Sequence, residues 1–308
     1  MLAGLLINQS INQSINLEAL DMSDKKVPGV LHLYSKSRVA FEFEPVGKSK
    51  VLIFVGGLTD GLLTVPYVKG LAETLEPLGF SVVQIQFSSS YLGFGTGSLK
   101  RDDSEIDQLV DYLRSDGRET ILLMGHSTGS QNTLHYLTNH AGKIEGGVLQ
   151  AAVSDREFIC SQFPESSLQK LNEEALALVK AGKGDELVSE EHRKVIFGTP
   201  ITAYRWCSLV LPGGDDDFFS SDISDDVLKT TFGVVQEPFL VALSEKDEFT
   251  PENVDREKLL GRWEAASDPK RCSKNSGLIR GASHNVAQAE SQKHLYEMVA
   301  AFIQEFSL

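Results

Sequence analysis

Thr120-Ile121-Leu122-Leu123-Met124-Gly125-His126-Ser127-Thr128-Gly129 is the stretch on which the reading of this chain turns. Thr120 to Met124 form a short apolar run of the kind a strand buried on both faces requires. Ser127 to Leu137 has the spacing of a helix, so the pentapeptide Gly125–Gly129 falls at a strand-to-helix turn. A serine at such a turn takes a strained backbone conformation, and small neighbours are needed for strand and helix to close on it. The turn lifts Ser127 Oγ clear of the sheet and aims a helix N-terminus at any developing oxyanion. The plainer alternative is a glycine-rich turn with a capping serine. In a chain with 26 glycines the pentapeptide alone does not separate the two, and its surroundings must.

Outward from this turn the chain alternates. On the N-terminal side, VLHLYS and VAFEFEP read as an opening hairpin, Val51 to Gly57 as a second buried strand, Tyr67 to Leu78 as helical and Ser81 to Phe87 as a strand. Asp102 to Ser115 is helical, with Ile106, Leu109, Val110 and Leu113 on one face. Gly146 to Ala152 is a strand again. Strands alternating with helices imply parallel βαβ units, an α/β fold with a mostly parallel central sheet. The alternation stops near Ser154: residues 155–232 carry helical periodicity, including Leu168, Leu171, Ala175 and Leu178, and no buried strand. It resumes with a strand at Pro238–Ser244, a helix at Glu257–Ala266, a strand at Ser276–Arg280 and a closing helix at Val286–Phe306. The expected organisation is an N-terminal extension over 1–27, an α/β core over 28–154 and 233–308, and a helical cap or lid insert over 155–232.

A serine hydroxyl needs a base within hydrogen-bond reach and a third group to orient that base. Of seven histidines, His284 alone stands in a loop directly after the last expected strand, where a base can swing over the top of a parallel sheet. His126 lies inside the turn and is expected to point away from Ser127. The orienting acid should follow a strand and precede the histidine; Asp247 does both, with Glu245 and Glu248 as neighbours of the same charge. The order Ser127, Asp247, His284 is the chain order of α/β-hydrolase triads. Two backbone N–H donors must meet the oxyanion. Thr128 N–H should be one, and the loop Gly56-Gly57-Leu58-Thr59-Asp60-Gly61 should supply the other, from Leu58 or else Gly57. This chemistry calls for no metal and no organic cofactor.

Composition limits the partners. The net charge of −14 disfavours nucleic acid phosphates and anionic lipid surfaces. Three widely spaced cysteines, Cys160, Cys207 and Cys272, exclude a disulfide scaffold and read as small buried hydrophobes. No apolar run reaches the roughly 18–20 residues that span a bilayer. The N-terminus, with INQSINQSIN and sequons at Asn8 and Asn12, lacks the basic region and cleavage site of a signal peptide, so a cytoplasmic location is expected. Met22 is an alternative start.

Beyond the generic turn, Ser88-Ser89-Ser90-Tyr91-Leu92-Gly93-Phe94-Gly95-Thr96-Gly97-Ser98-Leu99 and Leu211-Pro212-Gly213-Gly214-Asp215-Asp216-Asp217-Phe218-Phe219-Ser220-Ser221-Asp222 resemble the fungal siderophore (fusarinine C) esterase family of the α/β-hydrolase superfamily. The resemblance implies an α/β-hydrolase fold and hydrolysis of ester bonds in hydroxamate siderophores inside the cell to release iron. Ser127, Asp247 and His284 fall on the family's triad positions. The acidic residues Asp215, Asp216, Asp217, Asp222, Asp225 and Asp226 carry no Lys or Arg among them before Lys229, so Asp216 and Asp217 are expected to draw a cationic, amine-bearing or iron-loaded siderophore. A solvated acidic loop is the plainer reading. Tyr91 and Phe94 are expected to wall an apolar pocket. A general carboxylesterase, thioesterase or acyltransferase would use the same triad, whereas a ligand-binding protein without turnover would not need it.

Overall fold

The computed structural model describes residues 26–308. The expectations for the sequons, Met22 and most of the N-terminal extension lie outside these residues. The sheet has eight strands in the order β1-β2-β4-β3-β5-β6-β7-β8. They are β1 (Gly29–Ser35), β2 (Arg38–Phe43), β3 (Lys50–Val55), β4 (Phe80–Ile85), β5 (Thr120–His126), β6 (Gly146–Gln150), β7 (Phe239–Ser244) and β8 (Gly277–Ile279). The opening hairpin pairs β1 with β2 antiparallel, and β2 runs antiparallel to β4. Every other pairing is parallel, so the ends of β3, β5, β7 and β8 reach the same edge of the sheet. Loops at that edge are where an α/β sheet places its chemistry.

Strand periodicity decides the two cores. Val51, Ile53 and Val55 of β3 face one layer, and Leu52 and Phe54 the other. On the first side lie three helices: α2 (Leu99–Ser115), α3 (Thr128–Asn139) and α9 (Arg256–Ala266). On the second lie α1 (Val68–Leu75) and α10 (Ala289–Phe306). Ser98 caps α2 by accepting from Arg101 N at 3.1 Å, and the helix buries the expected stripe of Ile106, Leu109, Val110 and Leu113.

Between β6 and β7 come five helices: α4 (Asp155–Gln162), α5 (Glu165–Lys180), α6 (Glu190–Val195), α7 (Ala203–Val210) and α8 (Asp225–Thr231). Their own apolar core gathers Leu168, Leu171 and Ala175 of α5 with Trp206 and Leu209 of α7 and, from the loop after β4, Phe94. Leu178 packs only at its margin. The Trp206 indole N–H donates to Asn172 Oδ1 at 2.8 Å, so this bulky ring is buried without an orphaned polar atom. Among the described residues no helix is long and apolar enough to cross a membrane.

Two expectations change here. The closing helix starts at Ala289 because Ser283–Gln288 fold into a turn of their own, with Val286 at positive φ and Ser283 N accepted by Gln288 Oε1. Of the cysteines, Cys160 is exposed and Cys207 and Cys272 are half-buried, all three free; α4 faces Cys160 outward.

Candidate active site

Ser127 sits between β5 and α3 at φ 56° and ψ −126°, a backbone conformation that non-glycine residues seldom adopt. Its neighbours hold it there. Ser127 N donates to Gln150 O at 3.0 Å, Ser130 N to Ser127 O at 2.7 Å, and Ser130 Oγ to Gly125 O and Gln150 O. A Cβ on Gly129 would lie 2.3 Å from Val55 O, and one on Gly125 would lie 2.0 Å from Gly129 O. The close crossing of strand and helix therefore admits only glycine at either position.

The structure brings the three expected side chains together. Ser127 Oγ lies 2.8 Å from His284 Nε2, and His284 Nδ1 lies 2.9 and 2.8 Å from the two carboxylate oxygens of Asp247. Asp247 and His284 are both buried. Burial pulls the His284 pKa down, but the charge and hydrogen bonds of Asp247 outweigh it, and the net shift is upward. The neighbouring acids hold the backbone instead: Glu248 Oε2 accepts from His284 N at 2.8 Å and Glu245 Oε2 from Gly281 N at 2.6 Å. Phe249 packs against the His284 ring at 4.4 Å between centroids.

His126 turns away from Ser127, into a buried polar network that the sequence did not disclose. Its ring packs 5.0 Å from that of His284. Nδ1–H donates to Gln150 Oε1 at 2.6 Å, and that oxygen also accepts from Tyr67 Oη at 2.8 Å. Burial, then the nearby His284, pushes the His126 pKa down to about 4. A neutral ring beside His284 leaves room for a positive charge to form there.

For the oxyanion, Thr128 N–H stands at the first helical position, where no intrahelical acceptor exists. The loop after β3 approaches closely: a Cβ on Gly57 would lie 2.7 Å from Ser127 Cβ. The expectation for Gly57 as a donor is corrected, because Asp60 Oδ2 turns back and accepts its N–H at 2.8 Å. Leu58 N–H and Thr59 N–H have no hydrogen-bond partner among the described residues, and of the two only Leu58 lines the cleft beside Ser127.

The expected substrate residues divide. Phe94 is buried in the wall of a cleft beside Ser127, whereas Tyr91 is half exposed, lies across Gly61 and forms no part of that wall. Asp216 and Asp217 are not free to draw a cation. Asp216 is buried, 2.5 Å from Arg205 Nη1, and Asp217 accepts from Arg156 Nε at 3.0 Å and from Gly213 N at 2.9 Å. Their counter-charges come from α4 and α7, so these two carboxylates are ion-paired structure.

The family described as "Protein of unknown function (DUF1749)" matches residues 22–304. The chain belongs to that family. Among curated proteins, this DUF1749 chain is 41% identical to a UPF0613 protein of Schizosaccharomyces pombe, over 90% of this chain and 96% of the relative. It is 34% identical to the fusarinine C esterase sidJ of Aspergillus fumigatus, over 90% and 96%. Among solved structures it resembles the siderophore hydrolase EstB from Aspergillus fumigatus, with a TM-score of 0.78 and 33% identity, covering 91% of this chain and 98% of that one. The DUF1749 chain is an α/β hydrolase, an enzyme of the esterase class.

Proposed function

We propose that the protein is a serine esterase that cleaves ester bonds of a hydroxamate siderophore of the fusarinine type. The contact of Ser127 Oγ with His284 Nε2 at 2.8 Å, with Asp247 on the other ring nitrogen, carries the chemistry. The names of the relatives in Aspergillus fumigatus support the substrate. In this reading His284 takes the Ser127 proton as the hydroxyl attacks the ester carbonyl. Asp247 holds the Nδ1–H tautomer and stabilises the imidazolium. The oxyanion is met by the N–H groups of Leu58 and Thr128, both preset before charge develops. His284 then protonates the departing alkoxide, and water attacks the acyl-enzyme by the same route in reverse. Residues 155–232 cap the core, and hydrolysis takes place in the cytosol on iron-loaded or iron-free substrate.

The test is hydrolysis of ferric and iron-free fusarinine by wild type and Ser127→Ala, followed by mass spectrometry, with p-nitrophenyl esters alongside. Serine-dependent release of linear or monomeric hydroxamates is expected. Turnover of the simple esters alone would retain the triad and remove the siderophore. Equal hydrolysis by Ser127→Ala would remove the triad as well.

A further inference from the structure

We propose that the cleft beside the oxyanion loop is the acyl subsite, and that Arg205 and Asn132 in its wall select an acyl chain bearing a neutral amide or hydroxamate group. The inference rests on the serine-esterase reading above. The cleft opens to solvent and runs from Leu58 and Thr128 past Phe94 to Asp102, Asn132 and Arg205. No residue of the loops after β7 or β8 lines it. The departing alkoxide must sit against His284, which protonates it. The substituent directed away from His284, into this cleft, is therefore the acyl chain.

Its far end is polar in a particular way. The buried Arg205 donates Nε–H to Phe94 O at 3.1 Å and Nη1–H to Asp216 Oδ2 at 2.5 Å. Nη2 has no hydrogen-bond partner among the described residues, yet it is not sealed off from the space around it. Asn132 donates Nδ2–H to Asp102 Oδ2 at 3.2 Å, which leaves its Oδ1 free as an acceptor. One wall thus offers a spare donor and a spare acceptor. An amide presents C=O and N–H, and a hydroxamic acid presents C=O and N–OH; either answers both. An alkyl chain would desolvate both groups and pair neither. A carboxylate fits poorly, because Asp216 already offsets the guanidinium charge and Asp102, pushed up to about 6 chiefly by burial, stands beside it.

The experiment uses pairs of p-nitrophenyl esters matched in length, one member with a secondary amide at a series of depths along the acyl chain and the other all-alkyl. Two quantities are read: the ratio of kcat/KM within each pair, and the ratio of Kd for the same pair on the Ser127→Ala protein. For wild type the best amide should be favoured by about tenfold or more, the discrimination expected when a site's polar groups are met or left unpaired. Asn132→Leu should bring both ratios close to one. Arg205→Lys keeps a cation for Asp216 but lacks the forked Nη2, and should do the same; thermal melts check that each variant is folded. A wild-type preference for alkyl chains, or a ratio unchanged in folded Asn132→Leu, would overturn the assignment. If Ser127→Ala hydrolyses like wild type while the Kd ratio still depends on Asn132, the serine mechanism falls and the subsite stands.

Discussion

Replacing Asp247 by Asn tests the orienting role at its most exposed point. The side chain keeps its shape and loses its charge, and its amide can now donate to His284 Nδ1. That would push the imidazole proton onto Nε2, where it can no longer accept from Ser127 Oγ. A buried pair of opposite charges at roughly 4 Å and an effective dielectric near 20 is worth about 4 kcal/mol, or about three decades in rate at 1.36 kcal/mol per decade. With the tautomer fault added, kcat should fall about 10³- to 10⁴-fold. The pH profile moves as well. In wild type Asp247 raises the His284 pKa despite burial, so the acid limb of kcat/KM should lie above the ordinary value of about 6.5. With the amide in place burial is opposed only by the weaker pull of Glu248 and Asp60, and the limb should move down from its wild-type position. Stability follows the same sign. A histidine raised on folding stabilises the protein below its unfolded pKa and loses that contribution as pH rises through the folded value. The gap between wild type and variant should therefore be widest on the acid side of about 6.5 and close at alkaline pH. The assay is p-nitrophenyl acetate turnover against pH, with thermal melts over the same range. An Asp247→Asn variant within tenfold of wild type and with an unmoved acid limb would refute the reasoning, and attention would pass to Glu248 on the His284 N–H.

Three further outcomes follow from other features. His126 titrates near about 4 in the fold and near 6.5 when unfolded, so wild type should lose about 3 kcal/mol of stability as pH falls across that interval. His126→Asn should flatten the slope of melting temperature against pH there, and parallel slopes would contradict the buried neutral ring. Asp216→Asn strands the Arg205 charge in the interior and should cost about 3–5 kcal/mol in denaturant titrations; a loss below about 1 kcal/mol, as for an exposed pair, would count against it. Gly129→Ala forces a Cβ against Val55 O and should cost at least about 1–3 kcal/mol together with most of the turnover. Gly261→Ala in α9, with nothing within 4 Å of the new Cβ, should instead stabilise by about 0.4–1 kcal/mol. Equal effects of the two glycine substitutions would show that close packing at the turn is not what matters.

How legible these features were in the sequence depends on how local their causes are. The alternation of strands and helices shows because apolar periodicity is written within each element, and Ser127 shows because the turn's glycines flank it. His284 and Asp247 could be picked out because each follows a strand end, a relation that parallel topology preserves. Side-chain partners across the fold could not. Asp216 meets Arg205 and Asp217 meets Arg156, whose separations of 11 and 61 residues carry no periodic signal. The same holds for the His126, Gln150 and Tyr67 network and for Arg205 in the cleft wall. Gly57 N–H is engaged because Asp60 folds back over three residues to accept it, a local bond that an aspartate three positions after the glycine could have signalled.

Phe94 belongs to the loop after β4 yet is buried in the core of the five-helix insert, and that loop is tied to α7 twice more, through Thr202 N to Gly95 O at 2.9 Å and Arg205 Nε to Phe94 O. The insert is therefore not a transplantable module. A chimera that exchanged 155–232 alone would inherit helices with a vacancy where an aromatic ring belongs, and a host loop with an aromatic ring left bare. Recombination within the family would be expected to succeed when the crossover carries residues 88–97 with the helices. Substrate range would then pass between family members as a two-segment unit.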